Sequence, residues 1–313
     1  MSKVLAVFGA TGQQGGSVVA HVLNDAALSQ KYKIRAITRD VNSDKIKTLK
    51  GKVEVVQGDV FDRASLETAL AGVHTVYIMT TPSFAPNAVE VEFNSGKTIA
   101  DVAVEKGVQY LIFSTLPSPS QISAGRYTKV TPFDAKAKIE QYIRGLKVKS
   151  AFTSLGYFME NFGSQPFLAP KPAADGTFVL TRPNNPKTPL PFIDAVGDTG
   201  KFVGAILADP DKYAGKMLCC ATTQYTWEDI VATMSKATGK TVVYDKVPRE
   251  DFKKSLPFPG DLADIFVQGF AYQEEYGYFG LNSQKEVAWA AENARGKLST
   301  LEEFWKKNPL QLA

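Results

Sequence analysis

Residues 7–17 read VFGATGQQGGS, and Gly9, Gly12 and Gly15 stand three apart behind an apolar run. This arrangement can hold the diphosphate of a dinucleotide. The site needs a tight strand-to-helix turn, close backbone approach and a helix N-terminus aimed at the charge. Gly9 is expected to make the turn, Gly12 to admit the phosphate and Gly15 to let helix and strand pack closely. Thr11 lies within the same loop. Gln13 and Gln14 begin the helix, where their backbone amides face the ligand.

The residues that would bind the rest of a dinucleotide fall at the ends of later strands. Arg39 lies just past the second strand, about 24 residues after Gly15, where a side chain meets the adenosine ribose. Its planar fork suits a 2′-phosphate, and Lys45 from the following helix adds a second positive charge. The expected cofactor is therefore NADP(H) rather than NAD, although Asp40 leaves room for the latter. Asp59 and Val60 end the third strand and are expected at the adenine. Thr80, Thr81 and Pro82 end the fourth and are expected along the middle of the cofactor.

The chemistry itself points to Lys136. Short-chain reductases pair a Tyr with a Lys four residues later on one helix, so that the Lys lowers the Tyr pKa and the Tyr passes a proton. Here Lys136 stands at the lysine place in TPFDAKAKIEQYI, and Pro132 stands where the tyrosine is expected. Tyr127 lies too early, and its fourth successor is Thr131. Ser114 and Thr115 end the fifth strand, where the short-chain reductases this pattern resembles often keep a polar residue.

The GxxGxxG spacing resembles that of the extended and atypical short-chain dehydrogenase/reductases. GATGQQGGSV, RAITRD, GD after strand three, FDAKAKIE, SLGYFMENF, FIDAVGDTGKFV and ATGKTVVYDKVP together resemble the NmrA-like family along nearly the whole chain. That family usually has His before its FDSK stretch. Pro132 at this position is closer to the isoflavone-reductase branch, where a lysine alone serves as base. The resemblance implies that Gly156, Tyr157 and Asn161 lie near the nicotinamide end. Phe158 and Phe162 would then turn inward between the lobes. It also implies that some members bind NAD(P) without turnover and pass its redox state to a transcription factor or enzyme.

The elements that must position these residues alternate through the first half of the chain. Strand-like runs at KVLAVFG, YKIRAITRD, VEVVQGDV, HTVYIMTT, QYLIFSTLPS and KSAFTSL are separated by helical patterns, including a polar helix over 42–51. Alternation of this kind predicts an α/β fold, a Rossmann-type doubly wound parallel sheet covered on both faces. A smaller mixed α/β C-terminal lobe follows. We place a nucleotide-binding domain at 1–155 and a substrate or partner lobe at 156–313, with a soft boundary the chain can cross again. The second half begins with a proline-dense stretch and ends in helices rich in aromatics.

Composition narrows the function classes. The chain has 313 residues, a hydrophobic fraction of 44% and a net charge of +4, as for a globular protein with no nucleic-acid footprint. Direct nucleic-acid reading is not expected. No apolar stretch is long enough to span a bilayer, and the N-terminus lacks a secretory pattern. Cys219 and Cys220 are adjacent, so they suit a partly buried strand in a reducing compartment, the cytoplasm or the nucleus. His21 and His74 fall in separate elements, which disfavours a His-based metal site or triad.

Two functions remain. One is an NADP(H)-binding regulator that senses redox state and acts through a protein partner, such as a transcription factor or enzyme. The alternative is an NADPH-dependent reductase of a hydrophobic carbonyl, quinone or enone substrate, using Lys136. An open pocket beside the nicotinamide position favours the reductase, and a plug of side chains favours the sensor.

Overall fold

A computed structural model describes residues 2–83, 87–258 and 260–312. The first half forms β1 (Lys3–Phe8), β2 (Tyr32–Thr38), β3 (Glu54–Gln57), β4 (Thr75–Ile78), β5 (Tyr110–Thr115) and β6 (Lys149–Leu155). Four short strands follow: β7 (Tyr157–Phe158), β8 (Lys171–Pro172), β9 (Phe178–Arg182) and β10 (Pro189–Ile193). Then come β11 (Met217–Cys220), β12 (Thr223–Thr226) and β13 (Val242–Lys246).

Seven strands make one parallel sheet in the order β11-β6-β5-β4-β1-β2-β3. The order reverses between β1 and β4. In open α/β sheets the crevice beyond the carboxyl ends of such a pair receives ligands. Every residue of β4 and β5 is buried, as expected for central parallel strands covered on both faces. The edge strand β3 is half-exposed.

Helices Gln13–Asn24 and Ala195–Ala208 cover one face of the sheet, and Ala88–Glu105 and Thr131–Arg144 cover the other. Small residues allow each helix pair to close. A Cβ at Gly200 would stand 2.3 Å from the Ser17 carbonyl oxygen, and one at Gly96 would stand 2.7 Å from Ile139 Cγ2. β11 and Ala195–Ala208 both lie beyond residue 155, so the chain returns to the main sheet after leaving it. Arg295 clamps Asp25 through two hydrogen bonds of 2.6 and 3.0 Å, tying the C-terminal part to the end of the first helix.

Two three-stranded sheets, β12-β10-β7 and β13-β9-β8, frame a second core with Trp227, Phe252, Phe270 and Trp305. A capping box of Thr226 and Asp229 starts its helix Trp227–Thr238. Cys219 and Cys220 are free and buried on β11, as the sequence led us to expect. The polar helix expected over 42–51 shrinks to Asp44–Lys47. Ile46 alone gives it an apolar anchor, and Gly51 turns the chain at φ +81°. An extra helix, Ala26–Lys31, is started by the Asp25 carboxylate, which accepts from the Ala27 and Leu28 amides. Among the described residues no helix is long and apolar enough to cross a membrane.

The contact between Gly200 and Ser17 is backbone against helix, so neither side can yield. Gly200→Ala should destabilise the fold by about 1–3 kcal/mol, the usual cost of overpacking. Denaturant unfolding should show a lower midpoint at an unchanged slope.

Candidate functional site

The glycine loop has the geometry of a phosphate cradle. Gly9 sits at φ +66°, and its amide neighbourhood presses on the end of β4: a Cβ there would lie 2.6 Å from Met79 Sδ. A Cβ at Gly15 would lie 2.3 Å from the Gly9 carbonyl oxygen and 2.7 Å from that of Phe8. Only glycine permits helix and strand to approach so closely. Gly12 caps the helix in an extended conformation, its amide bonded to the Gly9 carbonyl at 2.8 Å. No side chain caps this helix N-terminus. Its first amides therefore still need an acceptor, and an anion held by the loop satisfies them. Thr11 and Gln13 border the same opening, with Gln13 exposed. The Gln14 side chain turns the other way, and its Oε1 accepts from Tyr77 Oη at 3.1 Å and Ser114 Oγ at 2.7 Å.

Arg39 and Lys45 are exposed and make no ion pair with a described residue. Arg35, on the strand itself, is committed instead: it pairs with Glu54 at 2.7 Å and donates to the Ala69 and Ala71 carbonyls. Of these two arginines, Arg39 is thus the one available to a ligand at this strand end. Asp59 accepts from the Phe61 amide at 3.0 Å in a local turn that leaves Val60 half-buried beside it.

A cavity of about 430 Å³ opens beyond the carboxyl ends of β4, β5 and β6. It gathers Gln14, Thr80, Pro82, Lys136, Gly156, Tyr157 and Asn161 from the expected residues, together with Ser114 and Thr115. Thr81 is exposed outside the lining. The other walls are mostly apolar, with Leu116, Phe133, Phe266 and Phe270, and Gln165 and Gln273 add polar groups. Gly156 is required by close approach, since a Cβ would lie 2.6 Å from the Pro191 carbonyl oxygen. Phe162 is buried against Phe192 and Trp305, as expected for an inward ring. Phe158 packs against the main core, as expected, and also lines the cavity.

Lys136 lies on the cavity floor, 7% exposed. Its Nζ donates to Thr80 Oγ1 at 2.9 Å, to the Thr80 carbonyl at 3.1 Å and to the Glu92 carboxylate, with which it forms an ion pair. Thr80 Oγ1 in turn donates to Glu92 Oε1 at 2.6 Å. Burial pulls the ammonium below the usual lysine range, and Glu92 pushes against that fall. All three ammonium protons have acceptors. Lys136 is therefore built as a fixed positive charge.

The reading of the sequence did not include Glu92. Its signal was present, because Glu92, Gly96, Ile99 and Ala103 share one buried helix stripe, and a carboxylate there demands a cation. Asp134 also has a positioning role. It accepts from Ser118 Oγ at 2.7 Å and Ser120 Oγ at 2.9 Å, holding the segment after β5. Glu160, inside the GYFMENF stretch, accepts from the Ala195 and Val196 amides and so anchors the start of helix Ala195–Ala208.

Comparison with known proteins agrees with this fold. The NmrA-like family model matches residues 1–305. An NmrA-like family domain-containing protein of Dictyostelium discoideum is 30% identical over 98% of both chains. The NmrA-like family domain-containing oxidoreductase cpsB of Aspergillus campestris is 31% identical over 86% of this chain and 83% of its own. NmrA, a negative transcriptional regulator solved in complex with NAD, superposes with a TM-score of 0.81 at 24% identity, covering 99% of this chain and 95% of its own. The triphenylmethane reductase of Citrobacter sp., complexed with NADP(H), superposes at 0.75 and 21% identity over 97% and 99%.

The ion pair on the cavity floor gives a direct test of the site. Glu92→Gln leaves a buried ammonium without its counter-charge and should cost about 3–5 kcal/mol of stability. Lys136→Met combined with Glu92→Gln should cost less than the sum of the two single changes, as a double-mutant cycle on thermal unfolding would read.

Proposed function

The chain belongs to the NmrA-like family, and from that premise we propose that it is an NADP(H)-dependent reductase of a hydrophobic carbonyl, quinone or enone. The observation that carries this reading is the open apolar cavity with Lys136 on its floor and the glycine cradle beside it. Enzyme sites for such substrates are concave, mostly apolar and furnished with few polar groups.

The residues present fit the dinucleotide. The loop from Gly9 to Gly15 would hold the diphosphate, and Arg39 with Lys45 the 2′-phosphate. Asp59 and Val60 would hold the adenine. Thr80, Thr81 and Pro82 would lie along the dinucleotide's middle, and Lys136, Gly156, Tyr157 and Asn161 would surround the nicotinamide end. When bound, the reduced dinucleotide supplies a hydride. The cavity walls exclude water and orient an apolar substrate. Lys136, held by Thr80 and Glu92, contributes a fixed positive potential where negative charge develops, which needs no reorganisation during reaction.

A second reading is favoured by one observation. Pro132 gives the lysine helix no hydroxyl at the usual tyrosine place, and the protons of Lys136 are already committed. A protein of that kind would bind NADP(H) without turnover and signal to a partner protein, such as a transcription factor or enzyme in the cytoplasm or nucleus. The dinucleotide can shift a partner surface only by binding two states differently.

Titration with both coenzymes tests the shared premise. NADPH should bind more tightly than NADH, and Arg39→Ala should weaken NADPH about 10- to 100-fold, the worth of a charge-assisted hydrogen bond, while sparing NADH. NADPH oxidation in the presence of aromatic ketones, quinones or enones separates the two readings. Silence across that panel, with NADPH still bound, would leave the sensor.

A further inference from the structure

Near its mouth the helix that carries Lys136 offers only Pro132 and Phe133 to the cavity. A hydroxyl nevertheless reaches this place from a distant part of the chain. The loop after helix Gly260–Tyr276, turned by Gly277 at φ +77° and Gly280 at φ +95°, presents Tyr278. Its ring stands edge-on against Phe133, with centroids 5.4 Å apart, and packs on Phe279 at 4.9 Å. The side chain lines the cavity at 6% exposure, and its hydroxyl makes no hydrogen bond with a described residue.

Tyr157 also lines the cavity, and its hydroxyl is sealed from solvent and directed to Arg182, which is 2% exposed. The guanidinium donates to the Thr181 and Leu168 carbonyls and faces the rings of Trp227 and Phe270 at 5.2 and 5.6 Å. Among the described residues no carboxylate pairs with it. Burial, with Tyr157 and Tyr272 nearby, holds the Tyr278 phenol above its ordinary pKa, so it remains a neutral donor.

We propose that Tyr278 is the polar recognition point of the cavity: it donates a hydrogen bond to the carbonyl oxygen of a flat aromatic ligand, with Tyr157 beside it. The inference rests on the apolar-substrate reading above and names the group that selects the substrate. Tyr278 takes the place of the hydroxyl that Pro132 cannot provide. The aromatic walls from Phe133, Phe158, Phe266 and Phe270 favour a flat ring system.

Equilibrium binding of 2-acetonaphthone and its carbonyl-free counterpart 2-ethylnaphthalene, with NADP⁺ saturating, tests this. The ketone should bind about five- to tenfold more tightly than the hydrocarbon, the worth of one neutral hydrogen bond. Tyr278→Phe keeps the ring against Phe133 and should bring the ratio close to one without changing the hydrocarbon or NADP⁺ affinity. Tyr157→Phe should reduce the ratio in part. A preference that survives Tyr278→Phe, an equal loss of both ligands, or no preference in the unmodified protein overturns the assignment. If NADP⁺ binds and neither aromatic ligand does, the apolar-substrate reading falls with it. If the ketone preference stands without NADP⁺ uptake, only the dinucleotide reading falls.

Discussion

A single buried charge organises the centre of this molecule. The Lys136 ammonium, on the helix Thr131–Arg144, meets Glu92 on the helix Ala88–Glu105 and both oxygens of Thr80 at the end of β4. Three elements are thus tied at one point beneath the cavity. Removing two charges from water is expensive, and a buried pair seldom adds net stability over an apolar replacement. Its contribution is definition. An unpaired Lys136 or Glu92 would be costly, so the helices and the strand end are held in the one register that satisfies both. The cavity floor inherits that register.

The two halves of the chain then divide the site between them. The first half brings the phosphate cradle, the strand ends and the charged floor, all parts whose positions follow from a parallel sheet with a crevice at its reversal. The second half brings the lid and walls: Tyr157 on a two-residue strand, Phe266 and Phe270 on one helix, and Tyr278 on the loop after it. The halves are not separable blocks. Helix Ala195–Ala208 and β11 return to the main sheet, and Gly200 lets the first helix and this later one touch backbone to side. A ligand bound between cradle and walls therefore contacts elements that share one core.

Polarity within the cavity is asymmetric. The floor carries the Lys136–Glu92 ion pair, and Tyr278 stands among aromatic walls. An apolar chamber of this kind suits an oxygen on a flat skeleton better than a cation or a donor-rich sugar. This selectivity arises from desolvation as much as from attraction, because a ligand group that failed to meet the free hydroxyl would leave it buried and unsatisfied.

Much of the fold was legible in the residues themselves. Gly9, Gly12 and Gly15 announced the turn and the close packing, and at Gly9 and Gly15 a Cβ would collide with its neighbours. The alternation of apolar runs with helical periodicity gave the parallel sheet, because period 2 and period 3.6 bury different residues. Arg39 could be singled out over Arg35 by its place past the strand end. Glu92 was legible in principle, as a carboxylate on a buried stripe, but its partner lies 44 residues away and only packing names it. Tyr278 was not legible as a site residue. Its role depends on a loop turned by two left-handed glycines and on a ring contact with Phe133 across about half the chain, and no local pattern encodes such a meeting. Local sequence determined the elements and the phosphate loop, since those depend on backbone conformation and nearest neighbours. Tertiary structure alone decided which buried charges pair and which hydroxyl faces the cavity, since those depend on distances between segments that only the folded chain brings together.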